Sequence, residues 1–96
     1  MAIQGFGNRE TERFYTEGRI PRRWRAIAQD ALDKLEILDA AVELRDLERP
    51  HSNRLHGLSG NYQGYHAINV QPAGPWRIIF RWTPSGPEDV EITDYH

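Results

Sequence analysis

Trp76-Arg77-Ile78-Ile79-Phe80-Arg81-Trp82 is a strand-like run. Successive side chains of a strand point to opposite faces. Trp76, Ile78, Phe80 and Trp82 therefore share one face, and Arg77, Ile79 and Arg81 the other. The first face needs a partner to cover it, while the second presents guanidinium groups. Two more strand-like runs flank this one, at residues 65–70 and 89–95, with Val90 and Ile92 sharing the apolar side of the latter. The joining stretches QPAGP (71–75) and TPSGPE (83–88) have hairpin composition.

Upstream the period changes. Trp24, Ile27, Ala28, Ala31, Leu32, Leu35 and Leu38 recur at helical spacing and form one apolar stripe. Pro21 suits the first position of that helix. Asn8 is placed to cap an earlier helix over Arg9–Glu17, ended by Gly18. Residues 1–6 are expected as an edge strand. AAVELRDLERP (40–50) either extends the long helix or forms a short segment ending at Pro50, and HSNRLHGLSGNYQG (51–64) reads as a loop. The expected fold is α+β: two N-terminal helices packed on a twisted antiparallel sheet of three to four strands, in one domain spanning residues 1–96.

Composition narrows the function classes. With 39% hydrophobic and 27% charged residues, the 96-residue chain is ordinary for a soluble protein with one core. It has no cysteine, which excludes disulfides, thiolate ligands and thiol nucleophiles. No signal-like opening and no apolar run near the ~20 residues of a membrane span is present. The protein is expected to be soluble and cytoplasmic.

The net charge of −2 argues against a general nucleic-acid coat, but the charges are unevenly placed. No acidic residue lies between Glu48 and Glu88, a stretch that holds Arg49, Arg54, Arg77 and Arg81. Arg22, Arg23 and Arg25 cluster in the expected first turn of the long helix. A helix N-terminus prefers acids there, so these arginines are either solvated or anion-binding. Local field matters more than total charge.

Four histidines, His51, His56, His66 and His96, are the other candidates. None pairs at the spacing of a zinc helix, and neither a phosphate loop nor a nucleophile elbow is present. No metal or cofactor is expected. What remains is an acid–base set without a nucleophile. RNA cleavage needs no protein nucleophile, because the 2′-hydroxyl attacks its own phosphate. Histidine suits the two proton transfers, and arginine holds phosphate oxygens with a rigid fork of donors. His66 shares parity with Ile68 and Val70, which assigns it a structural role.

From about Arg22 onward the chain resembles HigB-type toxins of the RelE/ParE superfamily, found in type II toxin–antitoxin modules. The matching pieces, in order, are Leu38-Asp39-Ala40-Ala41, Leu44-Arg45-Asp46-Leu47, Asn53-Arg54-Leu55-His56-Gly57-Leu58-Ser59-Gly60, Gly64-Tyr65-His66-Ala67-Ile68-Asn69-Val70, Trp76-Arg77-Ile78-Ile79-Phe80 and the terminal Asp94-Tyr95-His96. The resemblance implies two helices on a twisted antiparallel sheet. It also implies ribosome-dependent cleavage of mRNA at the decoding site. The implied partner is a HigA-like helix-turn-helix antitoxin, with DNA contacted only through that antitoxin and no membrane involved. His56 and His96 map to the family's catalytic histidines, Tyr95 to its terminal tyrosine, Arg77 to the arginine on the scissile phosphate, and Asp94 to the acid of the terminal motif. The expected substrate-binding residues are Arg54, Arg81, Ser59, Arg22 and Arg23.

One departure stands out. Many family members carry Leu-Lys-Gly where this chain has Leu58-Ser59-Gly60. Either Arg54 or Arg81 compensates for the missing charge, or the nuclease is weak. The alternatives are a ParE-like toxin that binds DNA gyrase without cleaving RNA, and a decayed toxin that acts only by binding its antitoxin. The terminal α-carboxylate of His96 favours its imidazolium form, and Tyr95 is suited to stacking on a base. Strict alternation would put Asp94 and His96 on the apolar face and Tyr95 on that of Arg77, so either the tail turns or bulges after Ile92 or only one of Tyr95 and His96 is catalytic.

Overall fold

The computed structural model describes residues 2–94. Helices α1 (Arg9–Glu17) and α2 (Ala28–Ala40) precede strands β1 (His56–Gly57), β2 (His66–Asn69), β3 (Arg77–Thr83) and β4 (Gly86–Thr93). The strands form one sheet in chain order, every neighbour antiparallel. This is the α+β architecture expected from the alternation of residues 76–82.

Ile78 and Phe80 lie wholly in the core, and Trp76 and Trp82 pack against it. Ile68 and Ile92 flank Ile78 in register. Ala31, Leu35 and Leu38 of α2 close over this face. The opposite face carries Arg77, Ile79 and Arg81, of which Ile79 is also buried. Asn8 caps α1 by accepting from Thr11 N at 2.9 Å, and Gly18 ends it with φ 73°.

The long helix starts later than the sequence suggests. Pro21 opens a short 3-10 turn, Arg22–Trp24, and α2 begins at Ala28. Trp24 is fully buried, edge-on to Phe14 and Trp76 at 5.6 and 6.3 Å. The bend also takes the three arginines out of the first helical turn, which holds Asp30 instead, as the helix dipole favours. Beyond Ala40, residues 41–50 do not extend α2. They form a separate 3-10 turn, Leu44–Glu48, with a reciprocal cap between Glu43 and Asp46. The Asp46 carboxylate accepts from Glu43 N and Val42 N, and these bonds hold its pKa below the ordinary value.

Two strands differ from expectation. β1 is only two residues long, too short to show a pattern, and lies inside the expected loop. β4 begins at Gly86 rather than Asp89, because Gly86-Pro87 reads as a turn but pairs with Thr83 and Trp82. The N-terminal segment does pair, through a parallel bridge between Phe6 and Val90. Gln4 N donates to Pro87 O at 2.7 Å, and Gly7 N to Val90 O at 2.8 Å. Asp39 ties this segment to both helices. Its carboxylate accepts from Ala2 N, Ile3 N and the Tyr15 hydroxyl. Burial, then the bond to Asp39, push the Tyr15 pKa up to about 12.

Candidate active site

A cleft of about 700 Å³ opens at one end of the arginine-bearing face. Arg54, Leu55 and His56 form one side, Asn69 and Arg77 the floor, and Pro72, Ala73, Gly74 and Pro75 of the β2–β3 loop the other side. Among the described residues no acidic side chain lines it, and its lining comes from the acid-free stretch of the sequence.

The segment before His56 is anchored from inside. Asn53 is fully buried and donates to Leu47 O and Arg49 O, both at 3.2 Å. Its side-chain oxygen accepts from Lys34 Nζ on α2. A buried amide so satisfied fixes the backbone around it. Arg54 then adopts a left-handed conformation, φ 50°, which turns the chain into β1. There His56 pairs with Ala67 in register.

His56 Nδ1 lies 2.6 Å from the Arg54 carbonyl oxygen. A carbonyl can only accept, so Nδ1 carries the proton and Nε2 is the basic nitrogen of the neutral ring. Arg77, at the start of β3, donates from Nη1 to Gly74 O at 2.7 Å and to Trp76 O at 3.0 Å. These bonds aim the guanidinium with one nitrogen. Among the described residues no carboxylate forms an ion pair with Arg77. A fork of donors so held is suited to a phosphate.

Of the residues singled out from the sequence, His56, Arg77 and Arg54 meet in the cleft. Asp94 follows directly on Thr93, the register partner of Arg77, and so lies at the same end of the sheet. β4 ends at Thr93, so strand alternation does not dictate where Asp94 points. Tyr95 and His96 lie outside the described residues. His66 stacks on Phe80 with ring centroids 5.9 Å apart, on the core side of the sheet.

Four expected substrate contacts lie elsewhere. Ser59 is exposed ahead of the Gly60–Tyr62 turn and does not line the cleft. Arg81 sits four residues along β3, with its guanidinium over the Tyr65 ring at 4.7 Å and Nε 3.6 Å from Asp89. Arg22 is exposed on the 3-10 turn. Arg23 donates to Glu10 from both Nη1 and Nη2, and its guanidinium lies 5.2 Å from the Trp24 ring. Its pKa is raised chiefly by that hydrogen bond, with lesser help from the charges of Glu10 and Asp94.

Sequence reasoning missed two parts of the cleft. Asn69 is only 3% exposed, yet it lines the cavity directly opposite Arg77 in register. The signal was there: an amide at cleft-face parity within His66-Ala67-Ile68-Asn69-Val70, where burial calls for an apolar side chain. The hairpin composition of residues 71–75 gives no sign that residues 72–75 line the cavity.

A family model for the RelE-like toxin of the type II toxin–antitoxin system HigB matches residues 4–96. The chain belongs to this family of HigB-like toxins. It is also 39% identical over 83 residues to Toxin HigB-1 of Vibrio cholerae serotype O1 (strain ATCC 39315 / El Tor Inaba N16961), covering 85% of this chain and 84% of the relative. As a HigB-like toxin of a type II system, the protein has an antitoxin as its partner. Among the described residues no helix is long and apolar enough to cross a membrane.

Proposed function

We propose that this HigB-like toxin is a ribosome-dependent mRNA endoribonuclease that works by general acid–base catalysis. The observation that carries the reading is the meeting of His56 and Arg77 in one cleft that, among the described residues, has no acidic lining. His56 Nε2 takes the proton of the attacking 2′-hydroxyl, while the Arg54 carbonyl holds Nδ1–H and keeps the ring in that tautomer. Arg77 neutralises the scissile phosphate as charge builds on it. Arg54, also in the cleft, supplies the second positive charge that a loop lysine gives other family members. The leaving 5′-oxygen receives its proton from the terminal motif, to which family resemblance assigns His96, with Tyr95 and Asp94 positioning it. The substrate is mRNA in the ribosomal decoding site, within the cytoplasm. A HigA-like helix-turn-helix antitoxin silences the toxin and carries any DNA contact.

The test is RNA 5′-end mapping in a cell-free translation reaction with wild type, Arg77→Ala and a His96 deletion. Wild type should create new ends within translated codons. Both variants should lose at least about 100-fold in cleavage rate while remaining folded. No new ends with wild type would overturn the nuclease reading in favour of a toxin that acts by binding alone, and the same new ends from all three proteins would overturn the roles given to Arg77 and His96.

A further inference from the structure

Arg81 is held by groups from two other parts of the chain. Tyr65, which immediately precedes β2, lies under the guanidinium at 4.7 Å, and Tyr62 packs edge-on against Tyr65 at 5.8 Å. From β4, the Asp89 carboxylate meets Nε at 3.6 Å. That contact depends on a bulge: the β3–β4 register slips between Ile79 and Arg81, and Asp89 takes φ 53°. Bulges of this kind re-aim a side chain. The Arg81 side chain nevertheless stays 47% exposed.

This arrangement contributes little to stability, since a half-exposed ion pair is screened by solvent. It is also a poor phosphate clamp, because Asp89 already matches the charge. What it presents is a planar cation with one face backed by an aromatic ring. Nucleobases stack on arginine planes and on aromatic rings, and such stacking tolerates any base. Arg81 lies on the same sheet face as Arg77 and ~13 Å further along β3. A single RNA strand covers that distance in a few nucleotides.

We propose that Arg81, backed by Tyr65 and steered by Asp89, is a stacking subsite for a nucleobase a few nucleotides from the phosphate held at Arg77. The inference rests on the ribonuclease reading above. It gives Arg81 a role different from the phosphate-binding charge expected from the sequence.

The experiment uses full-length toxin and ribosomes programmed with mRNAs blocked by a 2′-O-methyl group at the mapped cleavage nucleotide. Each mRNA carries 2-aminopurine at one successive position to either side. Wild type and Tyr65→Phe should quench one position away from the cut. Arg81→Lys keeps the charge but loses the plane, so it should abolish that quench and raise KM for unblocked mRNA about tenfold with kcat unchanged. Asp89→Asn, which tolerates the left-handed backbone, should weaken the same quench and serves if Arg81→Lys does not fold. Wild-type quench and KM in the variant read would make the cluster a scaffold and overturn the subsite. A folded Arg81→Lys protein with kcat abolished would place Arg81 in the reaction itself and overturn it equally. Absence of mapped cleavage by wild type would remove the ribonuclease reading and this inference together.

Discussion

Asn69 shows how one residue can set the character of the cleft. Its amide is neutral, almost fully buried and directly across from Arg77. A carboxylate there would be a cross-strand ion partner for the guanidinium and would compete with a phosphate. Asn69→Asp is nearly isosteric, so it changes charge more than shape. It should reduce cleavage about tenfold or more, and the loss should fall on KM, because the competition is for binding. Steady-state kinetics on ribosome-bound mRNA checks this. An unchanged KM would mean that Arg77 does not hold substrate. The same logic explains why Arg54 and His56 stand out in the sequence while Asn69 gives only a quieter signal. Charge and titration advertise themselves, whereas a buried amide looks like an error in an apolar strand until the cavity beside it is seen.

At the scale of elements, local chemistry was legible wherever it was complete within a few residues. α1 forms over its expected span because Asn8 and Gly18 supply both caps. β3 forms over nearly its expected span because its core face is continuous, although Ile79 on the arginine face is buried as well. The start of α2 was not legible, since burial of Trp24 between Phe14 and Trp76 is a tertiary demand that overrides the helical spacing. β1 was missed because its two residues are held by pairing with β2 rather than by pattern. The Leu44–Glu48 turn offers a test of local capping by pH. Asp46 has its folded pKa depressed below the ordinary 3.8 by backbone donors. Its contribution is therefore present above 3.8 and lost as pH falls through the depressed folded value. Asp46→Asn should unfold at lower urea than wild type at neutral pH, and the difference should be smaller at an acid pH below the depressed folded value. A gap of the same size at both pH values would show that the carboxylate charge is not what caps the turn.

Across the whole molecule, the N-terminal segment and the β3–β4 hairpin close the end of the fold away from the cleft. Gly86 makes that closure possible. It has φ 132°, a region strained for other residues, and an added Cβ would lie 2.1 Å from the Ala2 carbonyl oxygen. That oxygen is backbone and cannot swing aside. Gly86→Ala must therefore push the segment off β4, weakening the bonds from Ala2 and Ile3 to Asp39 and from Gln4 to Pro87. Released strand edges are also sites for unwanted pairing between molecules. The cleft is held separately, by Asn53 with Lys34 and by the β1–β2–β3 register. Gly86→Ala should lower stability by about 2 kcal/mol or more and speed amide exchange at Gln4 and Gly7. Exchange at Ala67 and cleavage per folded molecule should stay near wild type. Hydrogen exchange read residue by residue, beside a cleavage assay on the same sample, checks both halves. Loss of protection at Ala67 in step with Gln4 would show that the two ends unfold as one unit.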